Sequence, residues 1–347
     1  MKNALKYTLF LALAGGLMWY VFKDLPIAEL IDTFRQADYQ WVIVSGLLAM
    51  VAHWSRAYRW RMLMEPLGYR PSIVNATLAV WMGYFANYIV PRMGEVTRCG
   101  SLQRTDGVPF EKSFGTVVAE RVFDVVTLLV LIGINFVLEF DRLSGFFLDF
   151  FGSKVGGGGG GSNVLLLTLA ATGLAVLALG FFLYNRFGER IRQHRLVQKL
   201  TQFVKGLVDG LLSIRKLRNP GLFLFHTVLI WTMYYLMAYV LFFSIPETAN
   251  LGLLAGLTVL VLGSIGMAAP TQGGIGAYHV LVGNVVMLYG LSQKAGITLA
   301  TFIHGSQMLT ILLIGGLAFL ITLFRNRDLK DSKEKKDTPV STSTRLS

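Results

Sequence analysis

Cysteine is almost missing from this chain: Cys99 is the only one in 347 residues, which excludes an intramolecular disulfide and any thiolate metal cluster. Histidine is scarce, at five residues, and charged residues make up only 15% against 54% apolar, with a mean hydropathy of +0.55. A soluble domain carries about 25% charged residues, so this composition belongs to the membrane class. Acidic residues are the scarcest charge, 20 against 32 Lys and Arg, for a net +12. That excess does not read as nucleic-acid binding. The basic residues cluster in short segments between apolar runs, as the positive-inside rule expects, and no soluble stretch is long enough to read bases. Also lacking are a Walker-type Gly-Lys-Ser/Thr, a paired nucleophile and base, an Asp-rich diphosphate motif and a metal-ligand spacing. No catalytic residue, metal ligand or cofactor is therefore expected.

What is present is a series of long apolar runs rich in Phe, Tyr and Trp. They predict an all-α, polytopic membrane bundle of about eight crossings, with one or two re-entrant or discontinuous segments. The run at 7–22 lacks a small-x-small cleavage site and reads as an uncleaved first helix entered from the cytoplasm. A second run, 39–54, ends in Arg56, Arg59, Trp60 and Arg61, a cytoplasmic interface in which Arg56 and Arg59, three apart, share one helix face. Further spans are expected near 73–90, 113–138, 164–183, 222–243, 251–269, 275–289 and 295–324. Six glycines at 156–161 make a flexible spacer. Residues 186–218 alternate basic and apolar positions at helical spacing, which predicts an amphipathic cytoplasmic helix against the anionic leaflet. Residues 1–325 thus form the membrane domain, and 326–347 a disordered cytoplasmic tail. Cys99 looks incidental, in a small, polar neighbourhood.

The chain is organised around residues 87–124, where charge is concentrated beside apolar runs: Asn87, Arg92, Glu95 and Arg98, then Glu120, Arg121 and Asp124. Lipid does not tolerate such groups, so they face protein, water or a headgroup. Topology sharpens this. If 73–90 crossed fully, the positive residues after it would lie outside and the acidic 139–149 segment inside, inverting the charge bias. A re-entrant segment turning near Pro91-Arg92-Met93-Gly94 restores it, and broken backbone at membrane depth requires a protein or water-lined cavity. A related break occurs later, in Pro270-Thr271-Gln272-Gly273-Gly274 with Gly276 and His279. Each follows an apolar helix with Pro-x-x-Gly, and paired interruptions in the two halves point to a midplane site. The glycines permit close backbone approach and leave helix N-terminal N–H groups for a phosphate. Trp231, Tyr234, Tyr235 and Tyr239 are expected on one cavity-facing side, with His304 and Gln307 as lining groups.

These residues suit an anionic or zwitterionic lipid headgroup as partner: Arg92, Arg98 and Arg121, with Arg56 and Arg59, for the phosphate, and Glu95, Glu120 and Asp124 to hold the arginines or meet an amine. Arg56-x-x-Arg59-Trp60, Asn87 with Pro91-Arg92-x-Gly94-Glu95-x-x-Arg98, Glu120-Arg121-x-x-Asp124 and Gly273-Gly274-x-Gly276 together resemble the lysylphosphatidylglycerol synthase transmembrane-region family, over residues 5–325. The resemblance also reaches the membrane domain of the bacterial multiple peptide resistance factor. It implies a multi-pass protein of the bacterial inner membrane with re-entrant helices and a role in lipid translocation; the count of crossings places both termini in the cytoplasm. Where relatives often carry an acidic residue after the glycine turn, this chain has His279. No soluble synthase domain follows residue 325, so aminoacyl-lipid synthesis is not expected. A second copy of the chain or a separate lipid-modifying enzyme is a further candidate partner. Two alternatives remain: a membrane enzyme using Glu95, Glu120 or His279 as acid or base, and a structural or assembly protein whose ion network fixes helices.

Overall fold

The computed structural model describes residues 27–90, 92–140, 214–269 and 271–325, together with Gly16, Trp19 and Arg142. The expected first helix at 7–22, the glycine spacer, the span at 164–183, nearly all of the basic 186–218 segment and the tail lie outside the described residues. Within them the protein is helical, without strands. Contacts divide the chain into two units, residues 1–120 with 216–347, and residues 121–215.

In the first unit, α1 (Ile27–Gln36) lies between the runs expected at 7–22 and 39–54. Its Ile31 and Phe34 continue a helical apolar spacing, and Phe34 lies 5.4 Å from Phe302. The following helix, α2 (Gln40–Met64), runs 25 residues without interruption. This corrects the expected end at Trp54. Arg56 and Arg59 sit inside the helix and inside the protein, because partners on neighbouring helices satisfy charges that would otherwise have stopped it at the interface.

Two short helices follow, α3 (Ile73–Ile89) and α4 (Gly94–Asp106). At 1.5 Å per residue they measure about 26 and 20 Å, less than the roughly 30 Å of a bilayer core. They fold back as an antiparallel hairpin. Near its tip the Gly94 N–H donates to the Asn87 side-chain carbonyl at 2.7 Å, and at its base Asp106 accepts from the Ser72 N–H at 2.8 Å and the Asn75 amide at 2.9 Å. Close approach of the helices depends on glycine. A Cβ on Gly94 would collide with the Gly83 carbonyl and the Asn87 amide, and one on Gly83 would sit 2.9 Å from the Gly94 carbonyl.

Then comes α5 (Phe110–Leu138), of which Glu120 is the last residue in the first unit. α6 (Pro220–Tyr239) continues through a 3-10 turn to Ser244. A second short pair, α7 (Leu253–Ala268) and α8 (Ala277–Val285, extended by a 3-10 turn to Tyr289), is also antiparallel, closed at its open end by a 2.7 Å contact between the Thr258 and Tyr289 hydroxyls. The final helix, α9 (Gln293–Thr310), passes through a π turn at Ile311–Gly315 and runs on to Arg325. Three described helices, Phe110–Leu138, Pro220–Ser244 and Gln293–Arg325, are long and apolar enough to cross a membrane.

Small residues and aromatics fill the core. Ala57, Trp60 and Met64 of α2 pack with Ala76, Ala79 and Val80 of α3 and with Cys99 and Leu102 of α4. Cys99 is fully buried at the edge of this apolar cluster, with the Ser113 hydroxyl among its neighbours. Leu241, Phe242 and Val259 join Tyr278, Val282, Leu299 and Ile303 in a second cluster.

Candidate functional site

Three guanidinium groups converge on one carboxylate. Arg98 of α4 donates to Glu120 Oε2 at 2.9 Å, while Arg56 and Arg59 of α2 approach Oε1 at 3.3 and 3.5 Å. None of the four is more than 4% exposed. In a 25-residue helix, positions three apart lie on one face, which is why Arg56 and Arg59 reach the same oxygen. Aromatic faces wall the arginines. Arg98 stands 4.6 Å from the Trp60 ring, Arg56 lies 5.9 and 5.8 Å from Tyr84 and Tyr234, and Arg59 lies 5.7 Å from Phe223. These are cation–π distances, and they strengthen where water is excluded. Arg59 also donates to the Thr227 hydroxyl at 3.2 Å, and the Trp60 N–H to Thr116 at 2.9 Å. Beside this group, Ser55 Oγ lies 2.8 Å from His226 Nδ1, tying α2 to α6, and the His53 ring packs 4.3 Å from Trp81 and 4.4 Å from Tyr84.

The other expected residues distribute as follows. Asn87 binds the first N–H of α4, an unpaired helix-start donor that a side-chain acceptor satisfies. Replacing Asn87 by Ala removes this bond and is expected to cost about 1 kcal/mol, read as a lowered melting temperature in detergent. Arg92 sits exposed at the hairpin tip in the left-handed region, φ 64°, uncommon for a side chain of its size. Glu95 is half-buried on the first turn of α4. Arg121 and Asp124 belong to the second unit, where the half-exposed Arg121 meets the carboxylate of buried Asp124 at 3.8 Å, an i,i+3 contact. Gln272 opens the short turn Gln272–Gly274, and Gly273, Gly274 and Gly276 all adopt positive φ, 60°, 75° and 83°. His279 is buried on α8, with its ring 5.1 Å from that of His304 on α9.

The tips of the two short hairpins touch. A Cβ on Gly273 would lie 2.9 Å from Tyr88 Cε1, so the second turn packs against the end of α3. The tyrosines of α6 do not form one cavity-facing side. Tyr234 turns to Arg56 and Tyr84, while Tyr235 and Tyr239 stack on each other at 5.7 Å and press on Gly256 of α7. Sequence reasoning missed His53, Ser55, His226 and Thr227. Their signal was present as polar residues in otherwise apolar runs, without a motif to connect α2 and α6.

Fold and site together define a polytopic, all-α membrane protein with a buried arginine–glutamate cluster next to two short helical hairpins. The chain belongs to the lysylphosphatidylglycerol synthase transmembrane-region family, whose profile matches residues 7–315. It is 33% identical over 134 residues to the UPF0104 membrane protein MJ1595 of Methanocaldococcus jannaschii, covering 38% of each chain. Similarity to the glycosyltransferase AglD of Haloferax volcanii is 28% over 108 residues, 31% of this chain and 17% of that protein. The matched stretches span well under two thirds of either relative. No solved structure matches.

Proposed function

We propose that this protein carries a lipid or other amphiphile between the membrane leaflets by passing its anionic headgroup along the arginine–glutamate cluster. The observation that carries the reading is the convergence of Arg56, Arg59 and Arg98 on Glu120 beside a hairpin too short to span. Such clusters are costly inside a membrane protein and mark substrate pathways by default. Both hairpins serve as re-entrant elements whose tips meet inside the bilayer, as in transporters built from two interrupted segments. Arg92, Glu95 and the turn Gln272–Gly276 act as accessory headgroup contacts. The protein works in the bacterial inner membrane with both termini cytoplasmic. The translocating function is assigned to residues 1–325. A second copy or a separate lipid-modifying enzyme is its partner. Similarity to a protein named a glycosyltransferase favours one variant of this reading, in which the amphiphile is a glycosylated lipid.

Arg92 provides a test free of folding effects. Its left-handed backbone suits glycine better than arginine, so Arg92→Gly keeps or raises stability. In proteoliposomes, wild-type protein is expected to speed leaflet exchange of fluorescent phosphatidylglycerol, read by dithionite quenching, and Arg92→Gly to slow it. Wild-type exchange no faster than in protein-free vesicles, across anionic, zwitterionic and glycosylated lipids, sinks the reading.

A further inference from the structure

Among the described residues, two aromatic ring nitrogens are buried without a hydrogen-bond partner, His53 Nδ1 and Trp231 Nε1. The two residues come from different helices, α2 and α6, and are 3% and 8% exposed. Their rings flank the same neighbour: His53 lies 6.2 Å and Trp231 6.1 Å from the ring of Tyr234. Beside it stands Tyr84 of α3, whose ring is 4.4 Å from His53 and whose hydroxyl is 3.4 Å from that of Tyr234. Buried polar groups normally have partners, so two exceptions around one tyrosine call for a common cause.

Arg56 connects this corner to the arginine–glutamate cluster. It follows His53 by three residues, on the same face of α2, and its guanidinium lies 5.9 and 5.8 Å from the rings of Tyr84 and Tyr234. These two tyrosines are half-buried, whereas Trp60 and Phe223, which cover Arg98 and Arg59, are fully buried. A headgroup therefore has its open approach to the cluster at Arg56, past Tyr84 and Tyr234. The two hydroxyls meet at the long end of hydrogen-bonding distance, a contact that an arriving hydroxyl can replace.

The polar groups around Arg56 decide what fits beside it. The Trp231 N–H only donates and needs an acceptor; Nδ1 of a neutral imidazole donates or accepts according to tautomer, and a tyrosine hydroxyl does both. An ammonium brings no acceptor for Trp231, and it would sit next to the Arg56 charge, which already takes the faces of both tyrosine rings. A hydroxyl suits all of these groups, in either tautomer of His53, and adds no charge.

We propose that His53, Tyr84, Trp231 and Tyr234 form a subsite for the hydroxyl-bearing part of a headgroup whose phosphate rests on Arg56, so that the amphiphile is a glycerol- or sugar-phosphate lipid and not an aminated one. Its place in transport rests on the translocation reading; binding at the subsite does not.

Native mass spectrometry of the full chain in detergent tests this with phosphatidylglycerol in competition with phosphatidylethanol. With identical acyl chains the two lipids carry the same charge and differ in the headgroup hydroxyls. A neutral hydrogen bond is worth about fivefold in affinity, so wild-type protein is expected to prefer phosphatidylglycerol about twentyfold, and His53→Phe and Trp231→Phe each to cut that preference about fivefold. Phosphatidylethanol binding should stay as it was, where a merely structural lesion weakens both lipids alike. No preference in wild type, or an undiminished one in both variants, overturns the subsite. Glycerol 1-phosphate separates a lipid from a soluble source: displacement of phosphatidylglycerol by an equal concentration of it overturns the lipid assignment. Leaflet exchange of both lipids is measured in proteoliposomes. Preferential binding without exchange of either overturns the translocation reading and leaves the subsite standing. Exchange of both with equal binding does the reverse.

Discussion

Glu120→Gln lowers the stability of the folded protein by about 3–5 kcal/mol, the cost of breaking a buried ion pair by neutralising one member. The glutamine amide is nearly the shape of the carboxylate, so packing is preserved and charge is what changes. Arg98, Arg56 and Arg59 lie 2.9, 3.3 and 3.5 Å from the carboxylate oxygens, and an amide offers them one weaker acceptor and an N–H2 that faces their own donors. These contacts tie α2, α4 and α5 together, so their loss loosens the cluster and the helices around it. Cys99 supplies the readout. As the lone, fully buried thiol, it reacts with a fluorogenic maleimide only when the structure opens, and the melting curve should shift down by many degrees. Glu111→Gln, at an exposed carboxylate on the first turn of the same α5, loses only a favourable contact with the helix dipole and should move the curve far less. Equal melting of wild type and Glu120→Gln contradicts the energetic role given to the cluster.

Gly94→Ala is expected to open the first hairpin. The added methyl would overlap the Gly83 carbonyl and the Asn87 amide, and backbone cannot move aside as a flexible side chain does. Overpacking of this kind costs about 1–3 kcal/mol and sometimes more. The lesion also spreads. Gly94 begins the helix that positions Arg98 one turn later, so separation of α3 from α4 pulls Arg98 away from Glu120 and from the Trp60 ring. Gly100→Ala makes the contrast within the same helix. No atom lies within 4 Å of its new methyl, and replacing glycine in a helix interior stabilises by about 0.5–1 kcal/mol. The same thiol assay should therefore show opposite shifts for two identical substitutions six residues apart. A shift of equal sign contradicts the close-packed hairpin.

Much of the architecture was legible because apolar run length and Pro/Gly punctuation are local. α3, α5, α6 and α9 begin and end within a few residues of their expected limits. α2 was not, since a helix carrying Arg56 and Arg59 reads as having reached the interface. Nothing local reveals that Glu120, more than sixty residues later, meets both arginines. Charge bias led to the expectation of a re-entrant turn near Pro91–Gly94; the structure shows two helices folding back there, and the bond from the Gly94 N–H to the Asn87 side-chain carbonyl gives that turn a physical cause. His226 and Thr227 illustrate the opposite limit. They matter only through residues 168–171 positions away, a separation that no periodicity encodes. The aromatic residues of α6 share one broad side by their spacing, but Tyr234 and Tyr235, about 100° apart around the helix, meet different neighbours, Arg56 and Tyr84 in one case and Tyr239 and Gly256 in the other.

Photo-crosslinking locates directly whether an anionic headgroup enters the protein at the arginine–glutamate cluster. Protein in vesicles containing phosphatidylglycerol with a headgroup-borne diazirine is irradiated, digested and mapped by mass spectrometry. Adducts are expected on the segments that wall the cluster, α2 around Arg56–Trp60, α4 around Glu95–Arg98 and α6 around Phe223–Tyr234, reduced by competition with unlabelled lipid. Adducts confined to exposed outer faces, such as Leu129 and Val130 of α5 or Leu313 and Leu317 beyond α9, and indifferent to competitor, would contradict entry at the cluster.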